Sequence, residues 1–270
     1  MSLEEKELKI THNDSELNIS YLLRAGDKEV ILFLHGLGCS KYDFTAADDV
    51  ERLKGHRLVL FDFPGCGTSP YPFDLNLGMD DLVEITHKVT SELDLENVVL
   101  IGHSMGGLVS LLYAGKYEEN VKAIINVEGN LVSENSNISR KVAKISFEQF
   151  SEHVFPKLHE KLLATENTGF IRHAEILRKY SSPRAFYDYS PSLMRYSDNK
   201  GLIERYIRLE VPTLYLYGSE NSDLSYIPRL VDSGCEVAKI SNSNHFPFYD
   251  NPFEFYKVAS EFINGLSIRF

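Results

Sequence analysis

Gly102-His103-Ser104-Met105-Gly106 sets a serine between two glycines, directly after the apolar run NVVLIG and directly before the helix-forming run MGGLVSLLYAG. A strand that breaks sharply into a helix lifts such a hydroxyl clear of its neighbours. Serine is a weak nucleophile at neutral pH and needs a base to take its proton. The helix that follows would offer backbone N–H groups and a favourable dipole to an oxyanion formed on attack. The pattern therefore points to acyl transfer through a covalent serine adduct. Other spacings point nowhere. Gly102 to Gly107 matches the glycine spacing of a phosphate loop, but Leu108 and Val109 stand where Lys and Ser/Thr are required. His159-Glu160 opens like a metalloprotease helix, yet Leu163 occupies the place of the second histidine, so no metal site is expected. Gly65-Cys66-Gly67 lacks the third glycine of a dinucleotide fold, and no cofactor is expected.

The elements that must position Ser104 alternate. Leu17 to Leu23, Val30 to Leu34, Leu58 to Phe63, Val98 to Ile101 and Val121 to Val127 read as strands, and residues 79–93 and 105–117 as helices. After residue 130 the alternation stops. Residues 131–200 are polar and helical in pattern, carrying 11 Lys and Arg against 8 Asp and Glu, whereas the whole chain has a net charge of -11. Alternation resumes with strands at Val211 to Tyr217 and Glu236 to Ile240, and helices near Leu224 to Val231 and Pro252 to Asn264. The expected fold class is α/β: a mostly parallel sheet with helices on both faces, built from residues 1–130 and 201–270, with a helical cap inserted at 131–200. At 270 residues one domain with an insertion is the natural size.

On these residues the chain resembles the α/β-hydrolase family, from about Tyr21 to Leu266, with the motifs in the family's order. His35-Gly36-Leu37-Gly38 after VILFL is similar to the family's oxyanion loop, and FDFPGCGTS at 61–69 to the loop after the next strand. The resemblance implies Ser104 as nucleophile, the backbone N–H groups of Leu37 and Met105 as oxyanion hole, and His245 as general base, on the loop after the last strand. His35 and His103 are expected to be scaffold. The family usually places its acid three residues after the glycine that ends the penultimate strand, where this chain has Asn221 in YGSEN. A subset places it after the strand that follows the nucleophile helix, where NVEGN supplies Glu128. Glu128 is thus the expected acid, with Asp223 and then Glu220 as alternatives.

What this implies is hydrolysis of a carboxylic ester through an acyl-enzyme, without a cofactor, on a small-molecule substrate. A serine nucleophile excludes the epoxide hydrolase and dehalogenase reactions of the family, which need a carboxylate. The same triad would also serve C–C bond hydrolysis or acyl or thioester transfer, and the fold without catalysis would serve as a small-molecule receptor. The mildly basic insertion would suit an anionic substrate. Net acidity argues against nucleic acid as a partner. No membrane span is expected, since the most apolar stretch is broken by His103, Ser104 and glycines. A charged start and three scattered cysteines fit a cytoplasmic protein. No pattern speaks to oligomeric state.

Overall fold

The computed structural model describes residues 2–133, 137–198 and 201–266. Eight strands form one sheet: β1 (Glu4–His12), β2 (Ser15–Arg24), β3 (Val30–Leu34), β4 (Arg57–Phe61), β5 (Val98–His103), β6 (Val121–Val127), β7 (Thr213–Gly218) and β8 (Glu236–Ile240), in the order β1-β2-β4-β3-β5-β6-β7-β8. The first two strands are antiparallel to their neighbours, and the remaining pairs are parallel. β5 is buried along its whole length, which is why its sequence is apolar without alternation.

Alternate residues of each strand feed two cores. Leu32, Leu34, Val98 and Leu100 pack with helices α1 (Met79–Glu92) and α2 (Met105–Ala114) on one face. Ile31, Phe33, Val99 and Ile101 pack with Phe255, Ala259 and Ile263 of the last helix on the other. Each such side chain contributes about 1.5–3 kcal/mol by leaving water, so residues on both faces anchor the strand that ends at Ser104. β1 was not anticipated from the sequence. Its residues Glu4 to Glu7 are exposed, because the strand closes an edge and pairs through its backbone.

Between β6 and β7 the chain runs through α3 (Asn137–Val142), α4 (Phe147–Gln149), α5 (Phe155–Leu163), α6 (Thr168–Tyr180), α7 (Pro183–Ser197) and α8 (Leu202–Ile207). These helices share a small apolar cluster of their own around Phe150, Leu177 and Phe186. They are tied to the loop after β4, where Gly67 N–H donates to the Tyr180 carbonyl, Tyr189 Oη donates to the Pro64 carbonyl at 2.6 Å, and Tyr71 Oη donates to Asp188 at 2.6 Å. The fold closes with α9 (Ile227–Asp232), β8, α10 (Pro247–Asp250) and α11 (Pro252–Leu266).

Candidate active site

Ser104 sits between β5 and α2 with φ at 51°, a left-handed backbone that only a tightly held turn sustains in a non-glycine residue. Its N–H donates to the Val127 carbonyl at 2.9 Å, tying the turn to the end of β6. The flanking glycines are steric requirements. A Cβ on Gly106 would run into the Leu34 carbonyl, and one on Gly102 into Ser110 Oγ and the Gly106 carbonyl. Met105 is the first residue of α2, so its N–H is one of the four that a helix start leaves without an intrahelical acceptor. The Ser104 hydroxyl donates to Asn130 Oδ1 at 3.2 Å; among the described residues it has no hydrogen bond to His245.

His245 lies between β8 and α10, with Nδ1 at 2.9 Å from Glu128 Oε2. Glu128 is 2% exposed and follows β6 with φ at 49°. Its carboxylate is fully engaged: Oε1 accepts from Gly218 N–H at 2.7 Å, and Asn221 Nδ2 donates to Oε1 and Oε2 at 2.8 and 2.9 Å. A carboxylate only accepts, so His245 Nδ1 carries the hydrogen and Nε2 is left with a free lone pair. The backbone around the imidazole is also held. Asn244 Oδ1 accepts from His245 N–H at 2.8 Å, and the His245 carbonyl accepts from His103 Nε2 at 2.9 Å.

The other acid candidates stand apart. Asp223 is exposed, and exposed Glu220 accepts from Asn244 Nδ2 at 2.8 Å. Asn221, at the usual acid position, serves instead as a donor to Glu128. Three asparagines at this site, Asn130, Asn221 and Asn244, carry no signal in the sequence beyond their neighbours.

Leu37 lies on the loop after β3 and lines the same cavity as Ser104 and His245. His35 fixes that loop: its Nδ1 donates to the Gly36 carbonyl at 2.9 Å and its Nε2 accepts from Phe63 N–H at 3.1 Å. Burial pushes its pKa down, which suits a ring that must donate on one side and accept on the other. His103 is likewise pushed well down by burial, and its Nδ1 is buried without a hydrogen-bond partner among the described residues. Asp43, beyond the loop, accepts from Ser40 N–H and from Tyr249 Oη, both at 2.7 Å; burial raises its pKa to about 7.

The cavity is about 320 Å³, within the range of small-molecule sites. The helices between β6 and β7 line it with apolar groups such as Leu158, Leu162, Phe170, Phe186 and Leu193. Among the described residues no Lys or Arg lines it, and Glu128 is its sole charged group. The basic residues of the insertion therefore do not face the site as an anionic substrate would require; three of them pair within the insertion, Arg140 with Asp198, Arg172 with Glu175 and Arg184 with Asp188. Among the described residues no cluster of three or more His, Cys, Asp or Glu is arranged to hold a metal ion. No described helix is long and apolar enough to cross a membrane.

Residues 29–252 match the family model described as the alpha/beta hydrolase fold. The chain belongs to the α/β-hydrolase fold family. Among relatives of this α/β-hydrolase, Lipase 1 of Psychrobacter immobilis is 31% identical over 133 residues, spanning 44% of this chain and 41% of the lipase. The structure of an N-acyl homoserine lactonase complexed with N-butanoyl homoserine is similar at a TM-score of 0.79, with 18% identity over 97% of both chains. A carboxylesterase of the thaumarchaeon Nitrososphaera gargenis is similar at 0.78, with 17% identity over 97% of this chain and 100% of that one. At these identities the two structural likenesses speak to the fold alone.

Proposed function

We propose that this α/β-hydrolase cleaves carboxylic esters of small, uncharged molecules through an acyl-enzyme. The observation that carries the reading is the 2.9 Å pairing of His245 Nδ1 with buried Glu128 at the edge of a cavity that Ser104 also lines. Ser104 Oγ turns from Asn130 and attacks the ester carbonyl carbon, and its proton passes to His245 Nε2. The oxyanion is met by the N–H groups of Leu37 and Met105, a kind of contact worth about 3–4 kcal/mol in the transition state. The C–O bond then breaks, and His245 returns the proton to the departing alcohol. Water attacks the acyl-Ser104 ester with His245 as base, and collapse releases the carboxylic acid and restores the serine hydroxyl. Glu128 holds the tautomer and stabilises the imidazolium throughout. The helices within 131–200 act as a cap that excludes water from the acyl group.

The likeness of part of the chain to a lipase supports acyl–oxygen cleavage. The lack of lining cations among the described residues favours an ester over the acidic diketone that C–C cleavage by the same triad would need. Turnover of p-nitrophenyl acetate and butyrate tests the reading. Wild type should be active, Ser104→Ala should lose at least about a thousandfold, and Asp223→Asn should stay within about twofold. Equal activity of wild type and Ser104→Ala would refute it; absence of turnover would favour a receptor role.

A further inference from the structure

The cavity holds a buried polar group that ester cleavage does not use. His173 comes from α6, lines the cavity beside Phe170 and Phe186, and is 8% exposed. Its Nδ1 lies 3.5 Å from Cys39 Sγ, and its ring stacks on Phe246 with centroids 4.8 Å apart and planes 26° apart. Among the described residues no hydrogen bond is made by Nε2, and the residue lines the cavity. A phenylalanine would fill this place and stack on Phe246 without leaving a nitrogen unpaired, as its neighbours do. Burial drives the His173 pKa down to about 3, which leaves the ring uncharged at neutral pH. A neutral imidazole nitrogen either donates or accepts according to tautomer, and a hydroxyl satisfies both.

The position of the ring indicates which part of a substrate it meets. Cys39 lies two residues beyond Leu37, and Phe246 directly follows His245. In space the Phe246 ring packs edge-on against His245, with centroids 5.2 Å apart, and carries the His173 ring on its face; the leaving oxygen must reach His245 to collect its proton, which assigns the alcohol portion to this side of the cavity. We propose that His173 is a specificity residue whose Nε2 hydrogen-bonds an uncharged hydroxyl on the alcohol portion of the substrate, an inference that rests on the ester-hydrolase reading. An otherwise apolar wall would favour a methyl group at that point, so preference for a hydroxyl requires such a partner.

The test compares kcat/KM for 2-hydroxyethyl butyrate and propyl butyrate, which differ by a hydroxyl in place of a methyl, followed by proton release. Wild type should prefer the hydroxyl ester by about tenfold. In His173→Phe the preference should fall to one or below, and His173→Gln, which keeps a donor and an acceptor, should retain part of it. Each ratio is taken within one protein, so a loss of folded material cancels. A wild-type ratio near one with both esters turned over, or a ratio unchanged in His173→Phe, overturns the assignment of His173 alone. Turnover of neither ester, together with no labelling of Ser104 by a fluorophosphonate, overturns the ester-hydrolase reading itself.

Discussion

In the proposed mechanism Glu128 orients His245, while Asn221, at the place where the family usually has its acid, donates to Glu128. A carboxylate buried at 128 must be matched by donors, and the Asn221 amide and Gly218 N–H supply them. Glu128→Gln turns an acceptor into a partial donor against these groups and removes the tautomer's anchor. It should lower kcat by about 10²–10⁴ with little change in KM, read from steady-state kinetics. Asn221→Asp brings a second carboxylate against Glu128, and like charges at that distance disfavour joint ionisation. That single variant should be both slower and less stable. The double variant Asn221→Asp/Glu128→Gln restores one carboxylate to the pair and should be faster than Glu128→Gln alone; a double variant no faster would show that residue 221 cannot orient the imidazole. Short motifs and neighbouring strands mark Ser104, His245 and Glu128 as candidates in the sequence, and the structure brings the three to one cavity. Asn130 is not so marked, since its contact with Ser104 comes from how the turn after β6 folds back on the turn after β5.

The strand–turn–helix that carries Ser104 is held by close approach of backbones, and this belongs to the element rather than to any side chain. Gly106→Ala drives a methyl into the Leu34 carbonyl and should lower stability by about 3 kcal/mol or more, measured by denaturant unfolding. Gly265→Ala is the counterpart. Beyond its chain neighbours and its own helix backbone, no described atom lies within 4 Å of a Cβ there, near the end of α11, so removing glycine's freedom should stabilise by up to about 1 kcal/mol. The alternation of strands and helices was legible because buried parallel strands need unbroken apolar runs. β1 escaped because an exposed edge strand bonds through its backbone and imposes no such run. Helix α2 also ends earlier than its pattern suggested, at Ala114, since Gly115 starts the turn into β6.

At the scale of the whole molecule, burial of ionisable groups sets the response to pH. Burial holds His35 and His103 below the ordinary 6.5 and His173 at about 3. Between those values the folded protein binds fewer protons than the unfolded chain, so their stabilisation is present above pH 6.5 and is lost as pH falls. Asp43, raised from 3.8 to about 7, works the other way, its contribution fading as pH rises through that interval. Burial lowers His56 as well, so four histidines against one carboxyl make net acid destabilisation the expected result. His173→Phe should flatten the fall in melting temperature between pH 6.5 and 4, and an unchanged slope would contradict the burial argument. The placing of the inserted helices over the sheet was not legible, because tertiary packing of amphipathic helices leaves no local pattern; hence the apolar cavity came out where an anion site was expected. The central claim, that Ser104 is a nucleophile activated by His245 and Glu128, is tested most directly by intact-mass and peptide analysis after reaction with a fluorophosphonate. The account predicts one adduct per chain, on Ser104, absent in Ser104→Ala and formed much more slowly in Glu128→Gln. An adduct on another residue, or none, would contradict it.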